Sequence, residues 1–221
     1  MSRVVLLLWK DVVGELRSLE RMGTLALFST ALLVTLHFAL PPDSAARPVA
    51  AAGFLWAAIV FAGALEFRRS FESERRDGTL DALRVSPLDP TALYVAKTAS
   101  SFAVLGLLAC VLVPVTAAFF RGRTSGIPAA IGVALLGAAG LAAWGTLFGA
   151  VVGASRAGEV VLPVLLFPLV VPQTIACVRL LAAYLAGAEL ADPATGFVLL
   201  VAFDVLALGT GLLLFEYVLD E

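Results

Sequence analysis

Residues 127–153 read IPAAIGVALLGAAGLAAWGTLFGAVVG and contain no charged side chain. A helix needs about 20 predominantly apolar residues to cross the hydrocarbon core of a bilayer, and this run exceeds that length. Strands of a membrane barrel would instead read as alternating segments of about 10 residues. Because the run is continuous and rich in Leu, Ala and Gly, it predicts a membrane-spanning α-helix.

Apolar runs long enough to cross a bilayer recur along the whole 221-residue chain. Mean hydropathy is +0.99, and only 14% of the residues are charged, which excludes an ordinary soluble domain. The sequence therefore predicts an all-α integral membrane protein, with residues 1–221 forming a single domain of six transmembrane helices. The predicted spans are residues 22–40, 49–65, 98–120, 127–153, 160–185 and 196–219.

Lys and Arg are distributed unequally between the predicted connections. With the N-terminus in the cytoplasm, eleven of these residues lie inside and three lie outside, while Arg179 falls within the fifth span. The positive-inside rule favours that orientation, so we expect a multi-pass protein with both termini cytoplasmic. The net charge of −2 and the lack of a basic run give no indication of a nucleic-acid partner.

Residues 1–21 are expected to form an amphipathic helix before the first span. Its charged residues fall on one face and its apolar residues on the other at helical spacing, the apolar set being Trp9, Val12, Val13, Leu16 and Leu19. Such a helix lies in the membrane interface, in contact with lipid. The pattern fits equally a surface anchor and an interfacial elbow helix that braces the bundle.

Residues 66–97 form a charged connection between the second and third spans, with six basic and six acidic side chains. Anionic lipid attracts a positive excess, so this balance favours a protein partner instead. Asp89 before Pro90 is a helix-start signal. Upstream, a short helix carrying Leu80 and Leu83 on one side would fit a groove on a soluble partner, whereas a solvated loop is the simpler alternative.

Glycine and proline patterns mark the fourth and fifth spans. Small residues at intervals of four let another helix approach closely, and the fourth span has Gly145, Gly149 and Gly153. Prolines remove backbone donors and bend or break a helix unless neighbours repair the lost bonds. In the fifth span these are Pro163, Pro168 and Pro172.

Asp204 lies well inside the sixth span, where an ionisable group is costly and functional by default. If the fifth span ends outside and the sixth begins there, Arg179 and Asp204 have comparable depth. We predict an ion pair between them, with a role on a cargo path as the alternative. Cys110 and Cys177 are far apart in sequence and form no Cys-x-x-Cys or Cys/His cluster, so no metal site is predicted.

The run ERRDGTLDALRVSPLDPTALYVAKT, residues 74–98, resembles the cytoplasmic loop of permease subunits of ABC-2-type transporters. In those loops a mixed-charge cluster, Gly-Thr-Leu, Ser-Pro and Lys follow in this order. The fifth span, EVVLPVLLFPLVVPQ over residues 159–173, has prolines at a spacing similar to that of the CcmB family of cytochrome c maturation. The resemblance extends over essentially the whole chain.

The resemblance implies the permease subunit of an ABC transporter for haem export or delivery in c-type cytochrome biogenesis, in the bacterial cytoplasmic (inner) membrane. It implies that residues 66–97 are a coupling loop whose coupling helix docks a separate CcmA-like ATP-binding subunit. The docking residues would be Arg75, Arg76, Asp77, Gly78, Thr79, Leu80, Leu83, Pro87 and Leu88. A second copy of the chain and CcmC-like and CcmD-like membrane subunits are the other implied partners.

No cofactor is expected on this chain itself, since ATP would bind the partner subunit and haem is the implied cargo. The chain has no Walker A loop, His-Glu-x-x-His, Gly-x-Ser-x-Gly or carboxylate-rich metal cluster, so it is not expected to be an enzyme by itself. Two alternatives stay open: a non-transporting scaffold whose ATP-driven motion releases a haem-loaded chaperone, and a permease for another substrate. An intramembrane enzyme using Asp204 or His37 is a weaker third. We expect His37, the one histidine, to be structural rather than a haem ligand.

Overall fold

The computed structural model describes residues 19–41, 44, 46–76, 90–153, 158–188 and 192–220. These ranges form helices and short connections and contain no strand, which confirms the all-α prediction. A short 3-10 turn, Thr124–Gly126, precedes the fourth helix. The helices are α1 (Leu19–Ala39), α2 (Arg47–Arg76), α3 (Pro90–Phe119), α4 (Ile127–Gly153), α5 (Gly158–Ala186) and α6 (Pro193–Asp220).

Five of the described helices are long and apolar enough to cross a membrane. Their apolar ranges are Arg47–Phe67, Pro90–Phe119, Thr124–Val152, Val164–Ala186 and Pro193–Val218. Helix α1 adds a shorter apolar stretch, Gly23–Ala39. A membrane protein with several spanning helices is therefore confirmed, and the crossing by α1 stays a prediction. The expected elbow helix lies outside the described residues, apart from 19–21, which belong to α1.

Helix α4 is the central element of the bundle and contacts α2, α3, α5 and α6. Eight alanines and six glycines are found among its 27 residues, so neighbouring backbones can approach it closely. Its side chains at Ala134, Ala138 and Leu141 are fully buried. Helix α1 packs on the outside of this arrangement, against α2 and α3.

Helices extend into the charged connection from both sides. Helix α2 continues to Arg76. The prediction of a loop beginning at residue 66 is therefore wrong for residues 66–76, which are helical. The reason is local, because residues 66–76 (EFRRSFESERR) contain no Gly or Pro and are mostly good helix formers. Helix α3 begins at Pro90, as predicted from the Asp89–Pro90 pair.

At the opposite end of the bundle, α5 stops at a glycine in the left-handed region. Gly187 has φ 65°, and the amides of Gly187 and Ala188 donate to the carbonyls of Tyr184 (3.3 Å) and Ala183 (3.0 Å). This pair of bonds is a Schellman motif, which satisfies carbonyls that the helix end would leave unpaired. It fixes where the chain leaves α5 to enter α6.

Candidate functional site

The predicted docking segment lies largely outside the described residues. Of its nine residues, Arg75 and Arg76 belong to the last turn of α2, and the other seven, Asp77, Gly78, Thr79, Leu80, Leu83, Pro87 and Leu88, fall between the described ranges. The docking role of these residues stays a prediction. The structure describes the two helices that flank this segment, α2 before it and α3 after it. It also shows which side chains attach each of them to the bundle.

Helix α2 is fastened to α4 by Phe67, the last residue of its apolar range. The ring is fully buried and lies back over Gly63, one turn earlier in α2, at a distance that would put a Cβ there 3.2 Å from Phe67 Cε2. The same side of the ring fills the notch at Gly145 of α4, where a Cβ would overlap Cε2 and Cζ. Gly145 therefore serves helix packing, as its spacing indicated.

Helix α3 is fastened to α4 and α6 by Tyr94, which lies in the first turn or two of α3, just after the segment 77–89. Its hydroxyl is 3.1 Å from the Ala143 carbonyl and 3.4 Å from the Ala207 carbonyl, and it donates to these oxygens. The ring is fully buried and lies against Gly211, where a Cβ would overlap the phenol. A carbonyl oxygen has two lone pairs, so each can accept this bond while remaining in its helix.

Phe67 and Tyr94 together form what we call the aromatic joint. They reach α4 at Gly145 and Ala143, two residues apart and thus about 200° apart around the helix axis. The Phe67 ring and the Tyr94 hydroxyl therefore contact α4 within one helical turn of each other. Both contacts lie near the ends of α2 and α3 that lead to residues 77–89, so they are places where movement of that segment would reach α4.

The remaining glycines and prolines have differing surroundings. Gly149 is buried in α4, and Gly153 is the last residue of that helix. Helix α5 is assigned as one continuous helix through Pro163, Pro168 and Pro172, so the prolines do not break it. The kink that they predict stays a prediction.

A buried polar cluster joins α4, α5 and α6. Gln173 is fully buried, and its Nε2 donates to the Gly137 carbonyl at 2.7 Å and to Asp204 Oδ1 at 3.3 Å. A Cβ at Gly140 would overlap both the Asp204 carboxylate and the Gln173 amide, so α4 needs a glycine there. Gln173 Oε1 and Asp204 Oδ2 accept no hydrogen bond within the described ranges. Asp204 thus belongs to a three-helix polar cluster.

The ion pair predicted between Arg179 and Asp204 is not formed. Asp204 is buried and meets Gln173, whereas Arg179 is exposed and lines a pocket with Asp192. Helix rotation explains the difference, because Cys177 shares the face of Gln173 one turn later, and Arg179 lies about 200° around the axis from Cys177. The two groups also differ in depth, because Asp204 contacts Gln173, which is six residues or about 9 Å along α5 from Arg179.

A second contact ties α2 to α5 near this cluster. The indole Nε1 of Trp56 donates to Thr174 Oγ1 at 3.1 Å, and the Trp56 ring packs on Gly137 of α4. Trp56 is fully buried, so its N–H needs such a partner. Gly137 thus makes room for the Trp56 ring, and its carbonyl accepts the hydrogen bond from the Gln173 amide.

His37 is held at the end of α1 by Arg47 and aromatic rings. Arg47 Nη2 is 3.1 Å from His37 Nδ1, and arginine can only donate, so Nδ1 accepts and the ring proton is on Nε2. The imidazole packs edge-on against Phe120 at 5.0 Å between ring centroids. In this tautomer neither ring nitrogen has a free lone pair, which supports the structural role expected for His37.

Side chains that could ligate a metal ion are scattered in the described part of the chain. No three His, Cys, Asp or Glu side chains lie together there in a way that would hold a metal ion. Cys177 is buried beside Gly137, and Cys110 is exposed on α3. The buried polar side chains described above instead form hydrogen bonds between helices, and so hold the helices of the bundle together.

Phe67, Tyr94 and Gln173 were not singled out from the sequence. Gln173 had a usable signal, since a polar amide inside an apolar run finds hydrogen-bond partners on neighbouring helices. Tyr94 and Phe67 had none, because an aromatic residue near the end of a span is ordinary in membrane proteins. Asp192–Pro193 repeats the Asp89–Pro90 pattern and does begin a helix, α6.

Comparison with known proteins agrees with the resemblance in the charged loop and the fifth span. Heme exporter protein B of Rhodobacter capsulatus is 27% identical over 172 residues, which cover 76% of this chain and 78% of that protein. The family model of the CcmB protein matches residues 2–215, and so takes in the aromatic joint, the polar cluster and the segment between α2 and α3. On the extent of that match, this chain belongs to the CcmB family.

Proposed function

We propose that this chain is the membrane subunit of an ABC transporter complex that exports or delivers haem for c-type cytochrome biogenesis. Its family membership and the printed name of its relative from Rhodobacter capsulatus support this role. ATP would be hydrolysed by a separate CcmA-like subunit, and this chain would convert that hydrolysis into a rearrangement of its helices. The complex would lie in the bacterial inner membrane, with both termini cytoplasmic.

The observation that carries the proposal is the length of α2 and α3. Each has 30 residues and is thus about 45 Å long, whereas the hydrocarbon core is about 30 Å thick. In α2 the excess is charged and lies after Phe67, at the end leading to residues 77–89. Two helices of this length would carry that segment clear of the lipid, where a soluble subunit can reach it.

The aromatic joint gives this segment a mechanical connection to the bundle. ATP-driven movement of the partner would displace the ends of α2 and α3, and Phe67 and Tyr94 would pass the displacement to α4. Since α4 contacts four other helices, its rotation or shift would change their packing. Tyr94 also reaches the Ala207 carbonyl, so α6 would move with α4.

The scaffold alternative has one observation in its favour. His37, the chain's single histidine, uses Nδ1 to hold Arg47, so it offers no axial ligand for haem in this conformation. In that case ATP-driven motion would release a haem-loaded chaperone from CcmC-like and CcmD-like subunits, with no haem passing through this chain. A second copy of the chain would complete the complex in either case.

Docking is tested by co-purifying the chain with the candidate ATP-binding subunit from membranes. A Leu80→Asp, Leu83→Asp double variant is expected to lose the subunit by about tenfold or more, because the two leucines are the proposed apolar anchors. The matched control, Ala186→Asp with Ala188→Asp, adds two carboxylates at the opposite end of the bundle and should retain it. Equal retention by both double variants contradicts docking at residues 77–89.

Transport and release are separated in vesicles that contain this chain, its ATPase and entrapped haem. Haem leaving the vesicles only with ATP supports transport. ATP turnover without haem movement, together with ATP-dependent release of the chaperone when CcmC-like and CcmD-like subunits are added, supports the scaffold. If the complete set of subunits shows neither ATP turnover nor release of the chaperone, both functions are contradicted.

A further inference from the structure

A pocket of about 350 Å³ opens between α5 and α6 at the end of the bundle where α5 stops and α6 begins. This volume falls within the range of small-molecule sites. Ile175, Leu180 and Leu199 make much of the lining apolar, and Arg179 and Asp192 supply one positive and one negative charge. The mechanism proposed above uses none of these residues.

Arg179 is the cation of this pocket. Its side chain is exposed, and it makes no ion pair or hydrogen bond with any residue of the described ranges. Guanidinium carries a permanent positive charge and presents a fork of donors that matches phosphate. An arginine in an apolar groove of a membrane protein therefore favours an anionic phosphate ligand.

Asp192 is the anion and is fixed in place as the residue that caps α6. The Thr195 amide donates to Asp192 Oδ1 at 3.2 Å, and the Thr195 hydroxyl donates to Oδ2. These bonds hold the pKa of the Asp192 carboxyl below its ordinary value, so the carboxylate is charged near neutral pH. A carboxylate has about four lone-pair sites, and those left over can accept from an ammonium group.

The two charged side chains and the apolar lining of the pocket lie at different depths in the bundle. Helix α5 runs toward this end of the bundle and α6 runs away from it, so Asp192, before the first residue of α6, is outermost. Arg179 is seven residues before the end of α5, and so lies about 10 Å deeper in the bundle than that end. Ile175 is one helical turn deeper than Arg179. From outside to inside the pocket therefore presents an anion, a cation and apolar surface.

We propose that this pocket binds phosphatidylethanolamine, with the lipid ammonium on Asp192, the phosphate on Arg179 and an acyl chain along Ile175 and Leu199. The headgroup carries its charges in the order that complements the pocket, with the ammonium outermost, then the phosphate, then the chains. A phosphatidylglycerol headgroup would leave Asp192 facing an anionic lipid without an ammonium group. The inference does not depend on the proposed function, because lipid binding needs neither ATP nor a partner subunit.

The test is lipid retention by the purified full-length chain. Protein in detergent is given equimolar dioleoyl phosphatidylethanolamine, phosphatidylglycerol and phosphatidylcholine, and native mass spectrometry counts the lipids retained. Wild type is expected to retain phosphatidylethanolamine in preference to the other two lipids. Arg179→Gln should lower that retention about tenfold, since a hydrogen bond between charged groups is lost, and Arg179→Lys should preserve most of it. Asp192→Asn should abolish the preference over phosphatidylglycerol.

A matched arginine separates this site from general surface charge. Arg121 is exposed at the same end of the bundle, outside the pocket, and Arg121→Gln should leave retention unchanged. Equal retention of the three lipids by wild type overturns the proposal, as does wild-type retention in Arg179→Gln. Equal loss in Arg121→Gln and Arg179→Gln also overturns it. So does a disulfide between two copies of an Ile175→Cys variant, formed under oxidation, if that variant retains no lipid. Thermal unfolding of each variant identifies any loss that comes from misfolding.

Discussion

At the scale of single residues, Gln173 determines what Asp204 meets inside the bundle. A buried carboxylate side chain needs a polar partner, and the amide of Gln173 supplies a donor while α4 supplies a glycine at residue 140 to make room. We expect Gln173→Leu and Asp204→Asn to be coupled in a double-mutant cycle by about 0.5–3 kcal/mol, because the residues touch. Reversible unfolding of the chain in detergent or bicelles measures each free energy.

The same cycle with Arg179→Gln in place of Gln173→Leu is the control. Arg179 is exposed and lines a pocket that does not include Asp204, so the two substitutions should add without coupling. A coupling energy between Arg179 and Asp204 larger than that between Gln173 and Asp204 contradicts the geometry described here. Apolar length alone could not predict this contact, because it determines neither the rotation of α5 nor the register between α5 and α6.

The cap of α6 can be tested by titration. Thr195 donates two hydrogen bonds to the Asp192 carboxylate, which lowers the pKa of that carboxyl. A lowered folded-state pKa means that the stabilisation is present above the ordinary aspartate value and is lost as pH falls through the folded value. Thr195→Val keeps the backbone donor but removes the hydroxyl, so we expect the pKa of Asp192 to rise toward its ordinary value. Carboxyl NMR titration measures it, and an unchanged or lower pKa contradicts the cap.

At the scale of elements, the contact between α2 and α4 depends on the absence of a side chain at Gly145. A methyl group there would overlap the Phe67 ring, and overpacking of this kind costs about 1–3 kcal/mol. Gly145→Ala should therefore lower the thermal stability of the purified chain. Gly132→Ala, at an exposed position of α4 with nothing within 4 Å, is the matched control and should be neutral or slightly stabilising, because Ala has the higher helix propensity. Phe67→Leu should relieve the Gly145→Ala defect, and failure to do so contradicts this contact.

The contact of α3 with α4 and α6 depends on one hydroxyl group. Tyr94→Phe keeps the ring in place but removes the donor to Ala143 and Ala207, at a cost of about 1 kcal/mol of stability. On the proposed function, the variant should bind the ATPase normally and yield less haem transfer or chaperone release per ATP. Tyr217→Phe, on an exposed tyrosine of α6, is the control. Normal yield per ATP in Tyr94→Phe contradicts a coupling role for the aromatic joint.

Sequence reasoning was accurate about which segments are apolar helices and less so about where they end. Apolar length alone predicts the helices, and the Asp89–Pro90 pair fixed the start of α3. The prediction of a loop from residue 66 is wrong because charge in residues 66–76 does not indicate a loop by itself. Charge does not oppose helix formation outside the membrane, and no Gly or Pro interrupts α2 before Arg76.

At the scale of the whole molecule, hydropathy does not reveal which helix is central. The apolar range of α6 is more hydrophobic than that of α4, yet 22% of its most apolar stretch is buried inside the bundle, against 50% for α4. Lipid is as apolar as a neighbouring helix, so hydrophobicity gives no reason to prefer one over the other. Small residues give such a reason, and α4 has the Gly and Ala content that close helix packing needs.

The orientation of α1 decides the topology of the chain. Its 21 residues are about 31 Å long, enough to cross the hydrocarbon core, and its far end packs through His37 against Phe119 and Phe120 at the end of α3. We therefore expect α1 to cross, which places residue 2 on the same side as residue 73 near the end of α2. Were α1 to lie on the surface, residue 2 would share the side of Arg47.

Single cysteines distinguish these two topologies. In a background with Cys110→Ala and Cys177→Ala, we expect a membrane-impermeant maleimide added to intact cells to label Thr124→Cys but not Ser2→Cys or Ser73→Cys. All three should react after the membrane is permeabilised, which controls for accessibility. Labelling of Ser2→Cys in intact cells, with Ser73→Cys protected, means that α1 does not cross. Labelling of Ser2→Cys and Ser73→Cys but not Thr124→Cys would instead invert the bundle and place residues 77–89 beyond the reach of a cytoplasmic ATPase, so this measurement also bears on the proposed function.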